Sequence, residues 1–122
     1  MANDWQKKEQ SLMEIRREKA RKEDELLALR KENYLLEEVE EDIHYLSREY
    51  HEIMGLFHEV WQGNYSKNLQ YEMMDDQEAF LRKMKSEVNE VHHELDKDRQ
   101  ALQKKIQADE EKESVLKKEL YS

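Results

Sequence analysis

The chain has 122 residues, of which 42% are charged and 37% apolar, and its mean hydropathy of −1.21 excludes a large three-dimensional core. Its formal net charge of −9 argues against binding to nucleic acid or to an anionic membrane, because both require a basic surface. Cysteine is absent and no apolar run approaches the ~20 residues that span a bilayer, so we expect neither disulfides nor membrane insertion.

The first residues of the chain are polar. Residues 1–8 contain no hydrophobic segment of the kind found in cleaved signal peptides. We therefore expect a cytoplasmic protein, or one that is secreted without a cleaved signal peptide.

The first predicted helix covers about residues 4–61. Apolar residues recur at alternating steps of three and four in its second half, which predicts one side of a coiled-coil seam. The predicted seam residues of this helix are Leu36, Val39, Ile43, Leu46, Tyr50, Ile53, Phe57 and Val60. Upstream, Lys19, Lys22 and Asn33 occupy core positions, and the phase of the pattern skips one residue before Leu36.

The break between helices falls at Trp61-Gln62-Gly63, in a chain with no proline and only two glycines. Gly63 suits the left-handed conformation that ends many helices, and Asn64 or Ser66 suits the cap of the next helix. We predict a turn at residues 62–65, within a turn region of about 61–66.

The second predicted helix covers about residues 66–120. Its seam residues are predicted to be Leu81, Met84, Val88, Val91 and Leu95. The predicted fold is therefore all-α, a long antiparallel two-helix hairpin that resembles a coiled coil and forms one domain over residues 1–122.

Several apolar side chains fall outside this predicted seam. Two helices bury only one narrow strip, so the remaining apolar residues are expected to face other helices, from a second copy or from a different protein. The residues predicted to bind a partner are Tyr34, Leu35, Tyr45, Met54, Met73 and Phe80.

The sequence offers little for a metal or for catalysis. Two Glu-x-x-His pairs, Glu41/His44 and Glu90/His93, have the spacing of di-metal bundle sites, but a fold about residue 63 separates them along the axis. No serine lies in a nucleophile motif, and there is no glycine-rich phosphate loop. We expect no enzyme activity, no metal and no cofactor.

His44, His51 and His58 recur every seven residues and form one stripe of the first helix. The stripe is either a pH-sensitive docking face or an ordinary solvated face, and the second interpretation is favoured. Residues 31–62 contain two basic and nine acidic side chains, a net of −7. This acidic stretch either attracts a basic partner or keeps the hairpin soluble, and the sequence favours neither.

A helix, then Trp61-Gln62-Gly63, then a second helix, in an acidic chain, resembles the Trp-X-Gly superfamily of helical hairpins exported by type VII secretion systems. The size and charge of the helices are closer to the LXG-associated α-helical proteins. That resemblance implies a targeting factor that binds the helical N-terminal LXG domain of an antibacterial toxin, with Trp61 and Gly63 as the export-signal turn. The family's second signal is an aromatic-xxx-acid motif near the C-terminus. Tyr71-xxx-Asp75 has this pattern but lies too close to the turn, and Ile106-xxx-Glu110 and Val115-xxx-Glu119 lack the aromatic residue.

The sequence therefore favours a non-enzymatic targeting factor or chaperone for a toxin of type VII secretion. A second small helical protein is a further expected partner of the complex, and a homodimer is an alternative. The alternative function is a structural coiled-coil stalk or scaffold similar to FliJ-like export components. A metal-dependent helical enzyme is the least favoured interpretation.

Overall fold

The computed structural model describes residues 2–61 and 63–121, which form two long helices. Helix α1 is Ala2–Val60 and helix α2 is Asn64–Tyr121. The helices pack against each other and are joined near residue 62, so the predicted helical hairpin is confirmed. Gln62, the middle residue of the predicted turn triplet, lies outside the described residues. Helix α1 ends one residue earlier than predicted, and α2 begins two residues earlier.

Tertiary contacts divide the chain into two compact units. The terminal unit contains Met1–Glu32 and Glu94–Ser122, and the turn unit contains Asn33–His93. Each unit therefore has its own seam, formed by one segment of α1 and one segment of α2.

The terminal unit has a sparse apolar seam. Leu12 is its most buried side chain, with 2% of its surface exposed, and Leu95 is also buried. The half-buried apolar residues of this seam are Ile15, Leu26, Leu29, Leu102, Ile106, Leu116 and Leu120. Three or four residues separate the members of each neighbouring pair, as in a coiled coil, and gaps of seven to eleven residues separate the pairs from the next apolar seam residue.

Ion pairs fill the gap in this apolar seam. Lys22 Nζ lies 2.6 Å from Asp109 Oδ2, and the Asp109 side chain is buried. Lys19 Nζ lies 3.4 Å from Glu113 Oε2, on the neighbouring turn of both helices. The two lysines thus occupy the core positions that the sequence assigns to them, and acidic residues of α2 neutralise them there.

Glu113 is the centre of this cluster. Its Oε1 atom accepts a hydrogen bond from Arg16 Nε at 3.3 Å and lies 3.5 Å from Lys117 Nζ. Desolvation acts to raise the pKa of Glu113, but the hydrogen bonds from Arg16 and Lys19 outweigh it and hold this pKa below its usual value. Desolvation likewise acts to lower the pKa of Lys19, but Glu113 outweighs it and holds that pKa above its usual value.

The turn unit has a seam of mixed polarity. The residues of α1 that face the seam recur at alternating steps of three and four. This spacing continues without a break from Leu26 and Leu29 of the terminal unit. The buried or half-buried residues at these positions of α1 are Asn33, Leu36, Glu40, Ile43, Ser47, Tyr50, Met54 and Phe57. The predicted phase skip before Leu36 is therefore absent from α1.

This phase corrects half of the predicted seam of α1. Leu36, Ile43, Tyr50 and Phe57 do lie in the seam. The seam positions predicted for Val39, Leu46 and Ile53 are taken instead by Glu40, Ser47 and Met54, and all four apolar side chains, Val60 included, are exposed. Polar seam residues are tolerated because they have partners. Glu40, for example, pairs with His92 of α2.

The phase of the seam changes on α2 rather than on α1. Leu81 and Met84 are half-buried and Val88 is buried, as the sequence predicts, but Val91 is exposed and His92 is half-buried in its place. Met84, Val88 and His92 are therefore four residues apart in succession. Two consecutive steps of four are a stutter, which locally unwinds a left-handed supercoil.

Candidate partner-binding site

The two helices of the turn unit are fastened at the turn by a small hydrogen-bond network. The Trp61 carbonyl accepts a hydrogen bond from Ser66 Oγ at 2.9 Å and a longer one from Gln70 Nε2 at 3.5 Å. Gln70 also donates to Ser66 Oγ at 3.3 Å, and its Oε1 lies 3.1 Å from His58 Nδ1. Ser66 and Gln70 are buried. Ser66 therefore satisfies a carbonyl at the end of α1, and the prediction that it caps the start of α2 is corrected.

Trp61 is exposed although it adjoins this network. Its ring stacks on Phe57 with centroids 5.2 Å apart, and its backbone N–H donates to the Phe57 carbonyl at 2.9 Å. Even so, 57% of Trp61 remains in contact with solvent. A large indole is therefore displayed beside the turn, held by its own helix rather than by packing between the helices.

Gly63 precedes α2 and accepts a hydrogen bond from Lys67 N–H at 2.9 Å through its carbonyl. Its φ is not positive, so the left-handed conformation expected from the sequence is not adopted. A Cβ atom built on Gly63 would meet no atom within 4 Å. Neither backbone geometry nor packing therefore requires glycine at this position.

One side of the turn unit carries exposed apolar side chains from both helices. Val39, Leu46, Ile53 and Val60 are seven residues apart, so they form one stripe of α1. Met73 and Phe80 are also seven residues apart on α2 and exposed. We call these six residues the apolar face.

A groove lies between the two helices at the middle of the apolar face. Its volume is about 430 Å³, and it is lined by Leu46 and Tyr50 of α1 and by Met73, Phe80 and Leu81 of α2. The Tyr50 hydroxyl donates to the Met73 carbonyl at 3.0 Å and so links the two helices at this groove. Ser47, Asp76 and Gln77 complete the lining, which is mainly apolar.

The opposite side of the seam in the turn unit combines titratable and polar side chains with apolar ones. His51, His58, Lys67 and Tyr71 line a groove of about 450 Å³ there, together with Met54, Gly55, Gln70 and Met74. His44 and Lys85 line a smaller groove of about 270 Å³. The histidine stripe thus faces basic and polar side chains of α2, and we call this side the histidine face.

The net charge of the chain lies entirely in the turn unit. This unit contains five basic and fourteen acidic residues, which gives a formal net of −9. The terminal unit contains sixteen basic and sixteen acidic residues, a net of zero. The unit with the exposed apolar face is therefore also the unit that carries the whole net charge.

The residues predicted to bind a partner occupy different positions in the turn unit. Met73 and Phe80 belong to the apolar face, and Leu35 is exposed four residues before Val39. Tyr34 and Tyr45 are exposed, and a hydrogen bond to Glu49 raises the pKa of Tyr45. Met54 is 7% exposed and lies in the seam, so its assignment to a partner surface is corrected.

Sequence reasoning missed the four central residues of the apolar face because it assigned them to the seam. The signal that distinguishes the two assignments is continuity of phase with Leu12, Ile15, Leu26 and Leu29 upstream. When that spacing is continued along α1, Glu40, Ser47 and Met54 fall in the seam. Val39, Leu46, Ile53 and Val60 then lie outside the seam.

The described residues offer no group of three or more His, Asp or Glu side chains that could hold a metal ion. In the same part of the chain, neither helix is apolar enough over a sufficient length to cross a membrane. Comparisons with protein families, with curated proteins and with solved structures find no match to this chain.

Proposed function

We propose that this chain is a non-enzymatic targeting factor or chaperone that binds the helical LXG domain of an antibacterial toxin for type VII secretion. The observation that carries this proposal is the apolar face, which leaves six large apolar side chains of the turn unit without a partner. Exposed apolar patches on a small helical protein mark interaction surfaces. Helices of the toxin domain would extend the two-helix layer toward a bundle.

The turn supports the second half of the proposal, which is recognition by the exporter. Trp61 is displayed to solvent, and the fold does not require glycine at position 63. An exposed tryptophan and a glycine that packing does not require, placed at the only connection between the described helices, fit a surface signal. In the proposed complex, Trp61 and Gly63 form the export-signal turn, and another subunit supplies the aromatic-acid signal.

The cellular setting follows from this role. The chain would meet its toxin in the cytoplasm, and it would remain there or leave with the toxin. A second small helical protein would occupy a further part of the toxin domain. A coiled-coil stalk or scaffold is the alternative, and the charge-matched ion pairs of the terminal unit favour it, because they form a self-contained coiled-coil seam.

Secretion of the toxin tests the proposal. A strain without this chain is complemented with the wild type, with Trp61→Ala or with Trp5→Ala, which alters the exposed tryptophan of the terminal unit. We expect Trp61→Ala to bind the toxin normally but to reduce toxin in the culture supernatant, whereas Trp5→Ala restores secretion. Normal toxin secretion in the strain without this chain would overturn the proposal.

A further inference from the structure

We propose that the apolar face binds an amphipathic helix whose apolar stripe is flanked by lysine or arginine residues. The inference rests on the proposed function, since it specifies which helix of the partner is bound and by which side of the hairpin. It follows from the shape of the apolar face, from the charge around it and from the contrast with the histidine face.

The dimensions of the apolar face fit one helix. From Val39 to Val60, helix α1 advances about 30 Å at its ordinary rise per residue. Met73 and Phe80 of α2 form the second wall, and the groove at Leu46 lies between the walls. A helix of about 20 residues would cover this length, with its apolar side chains inserted between the two rows.

The borders of the apolar face are acidic. Asp42, Glu49 and Asp76 each lie three residues after a member of the apolar face, and Asp76 also lines the groove. Residues three apart are neighbours on a helix surface, so these carboxylates stand beside the apolar row. The other three such positions are Leu56 and Gly63, which are uncharged, and Lys83, which is basic, so the border has three acidic residues and one basic residue.

This charge determines the kind of partner. Basic side chains on both flanks of a bound helix would neutralise the acidic borders and accelerate its association. A second copy of this chain would instead bring like charges together, because a two-fold contact places the same acidic borders opposite each other. The charge of −9 in this unit therefore favours a basic helix over self-association.

The histidine face is a poorer site for such a helix. Lys67 and Lys85 line its grooves, and His58 is engaged by Gln70. A basic helix would meet these lysines there, whereas no basic residue is among the described residues that line the groove at Leu46. The two sides of the turn unit thus differ in the charge that a basic helix would meet.

Two synthetic helical peptides test the inference with the full-length chain. They share one leucine stripe and differ only in flanking residues, which are lysine in one and glutamate in the other. Fluorescence anisotropy is expected to show at least about tenfold tighter binding of the lysine-flanked peptide, with affinity that falls as salt rises. Equal binding of both peptides, or binding of neither, would overturn the inference.

Surface variants locate the site. Leu46→Gln combined with Ile53→Gln alters two exposed residues of the apolar face, and Met13→Gln combined with Leu27→Gln is the matched control because it alters two exposed apolar residues of the same helix in the terminal unit. We expect the double variant to lose at least about tenfold in affinity and the control to lose less than about twofold, with equal helicity by circular dichroism. Sedimentation that shows a wild-type dimer and a monomeric double variant would assign the face to a second copy and overturn the inference.

The purified LXG domain separates this inference from the proposed function. If the chain ignores that domain but binds the lysine-flanked peptide through the apolar face, the proposed function fails and the inference stands. If the chain binds that domain and the double variant binds it equally well, the inference fails and the proposed function stands.

Discussion

At the residue scale, the turn is held by side chains whose roles the sequence obscures. Ser66 and Gln70 satisfy the Trp61 carbonyl, which the end of α1 leaves without a helical partner. The side chains come from α2, so they join the two helices as well as ending the first one. The Trp61 indole and Gly63, by contrast, take no part in these hydrogen bonds.

Replacement of Ser66 tests the network. Ser66→Ala removes the hydroxyl that donates to the Trp61 carbonyl, and we expect a loss of about 1 kcal/mol in the free energy of unfolding, measured by urea denaturation. Ser86→Ala changes an exposed serine of the same helix and should stay within about 0.5 kcal/mol of the wild type. Equal effects of the two variants would show that the network does not stabilise the turn.

The two glycines should respond differently to replacement by alanine. Gly55 lies inside α1 with open space around its Cβ direction, so Gly55→Ala should stabilise the chain by about 0.5–1 kcal/mol. Gly63→Ala should change thermal stability little, since its φ is not positive and its surroundings are open. A large loss of thermal stability in Gly63→Ala would mean that the fold does need glycine there.

At the element scale, each helix alternates between apolar and charged stretches of seam. The pair of Lys22 and Asp109 lies where an apolar seam would place leucines, and one partner is buried. Such pairs fix the register between helices more than they add stability, because desolvation offsets the attraction.

A double-mutant cycle measures this pair. Asp109→Leu leaves the Lys22 ammonium partly buried without its carboxylate, and we expect a loss of about 2 kcal/mol in unfolding free energy. Lys22→Leu combined with Asp109→Leu should recover most of that loss, because two leucines suit the seam. If the double variant is as unstable as the sum of the single variants, the two residues are not coupled.

The Glu113 cluster is expected to stabilise the protein over a pH range that has an acidic and a basic limit. The lowered pKa of Glu113 gives stabilisation that is present above its ordinary value of 4.5 and is lost as pH falls through the folded-state pKa. The raised pKa of Lys19 gives stabilisation that is present below its ordinary value of 10.5 and is lost as pH rises through the folded-state pKa. The cluster should therefore stabilise the terminal unit most between these two limits.

Thermal unfolding over a range of pH tests this window. The difference in Tm between the wild type and Glu113→Gln should be largest between the limits and should shrink in acid, where Glu113 is itself neutral. Glu111→Gln, at an exposed position of the same helix, is the control and should show a smaller difference throughout. A difference that grows in acid would contradict the assigned direction of the pKa shift.

The seam shows which parts of the elements can be read from the sequence. The helices and the break between them follow from apolar periodicity, the lack of proline and the position of Gly63. The seam positions of α1 in the turn unit cannot be read in the same way. Leu36, Ile43, Tyr50 and Phe57 belong to the seam in both alternatives, which differ in the residues between them. A choice by hydrophobicity places Val39 and Leu46 in the seam, whereas continuation of the upstream spacing places Glu40 and Ser47 there.

At the scale of the whole molecule, the chain divides its properties between two units. The terminal unit is neutral and satisfies its charges internally, as Lys19 and Lys22 show. The turn unit holds the net charge, the apolar face and the exposed Trp61. The acidic stretch around residues 31–62 is visible in the sequence, but the neutrality of the other unit depends on which segments the fold brings together.

The division predicts that binding should depend on the turn unit. The most direct measurement is affinity purification of the tagged chain from its native cell, as the wild type and as the Leu46→Gln and Ile53→Gln double variant, followed by mass spectrometry. The proposed function predicts that a toxin with a helical N-terminal domain is recovered with the wild type, and the further inference predicts that the double variant loses it. Recovery of an export ATPase, or only of more copies of this chain, would contradict the account and favour a stalk or scaffold.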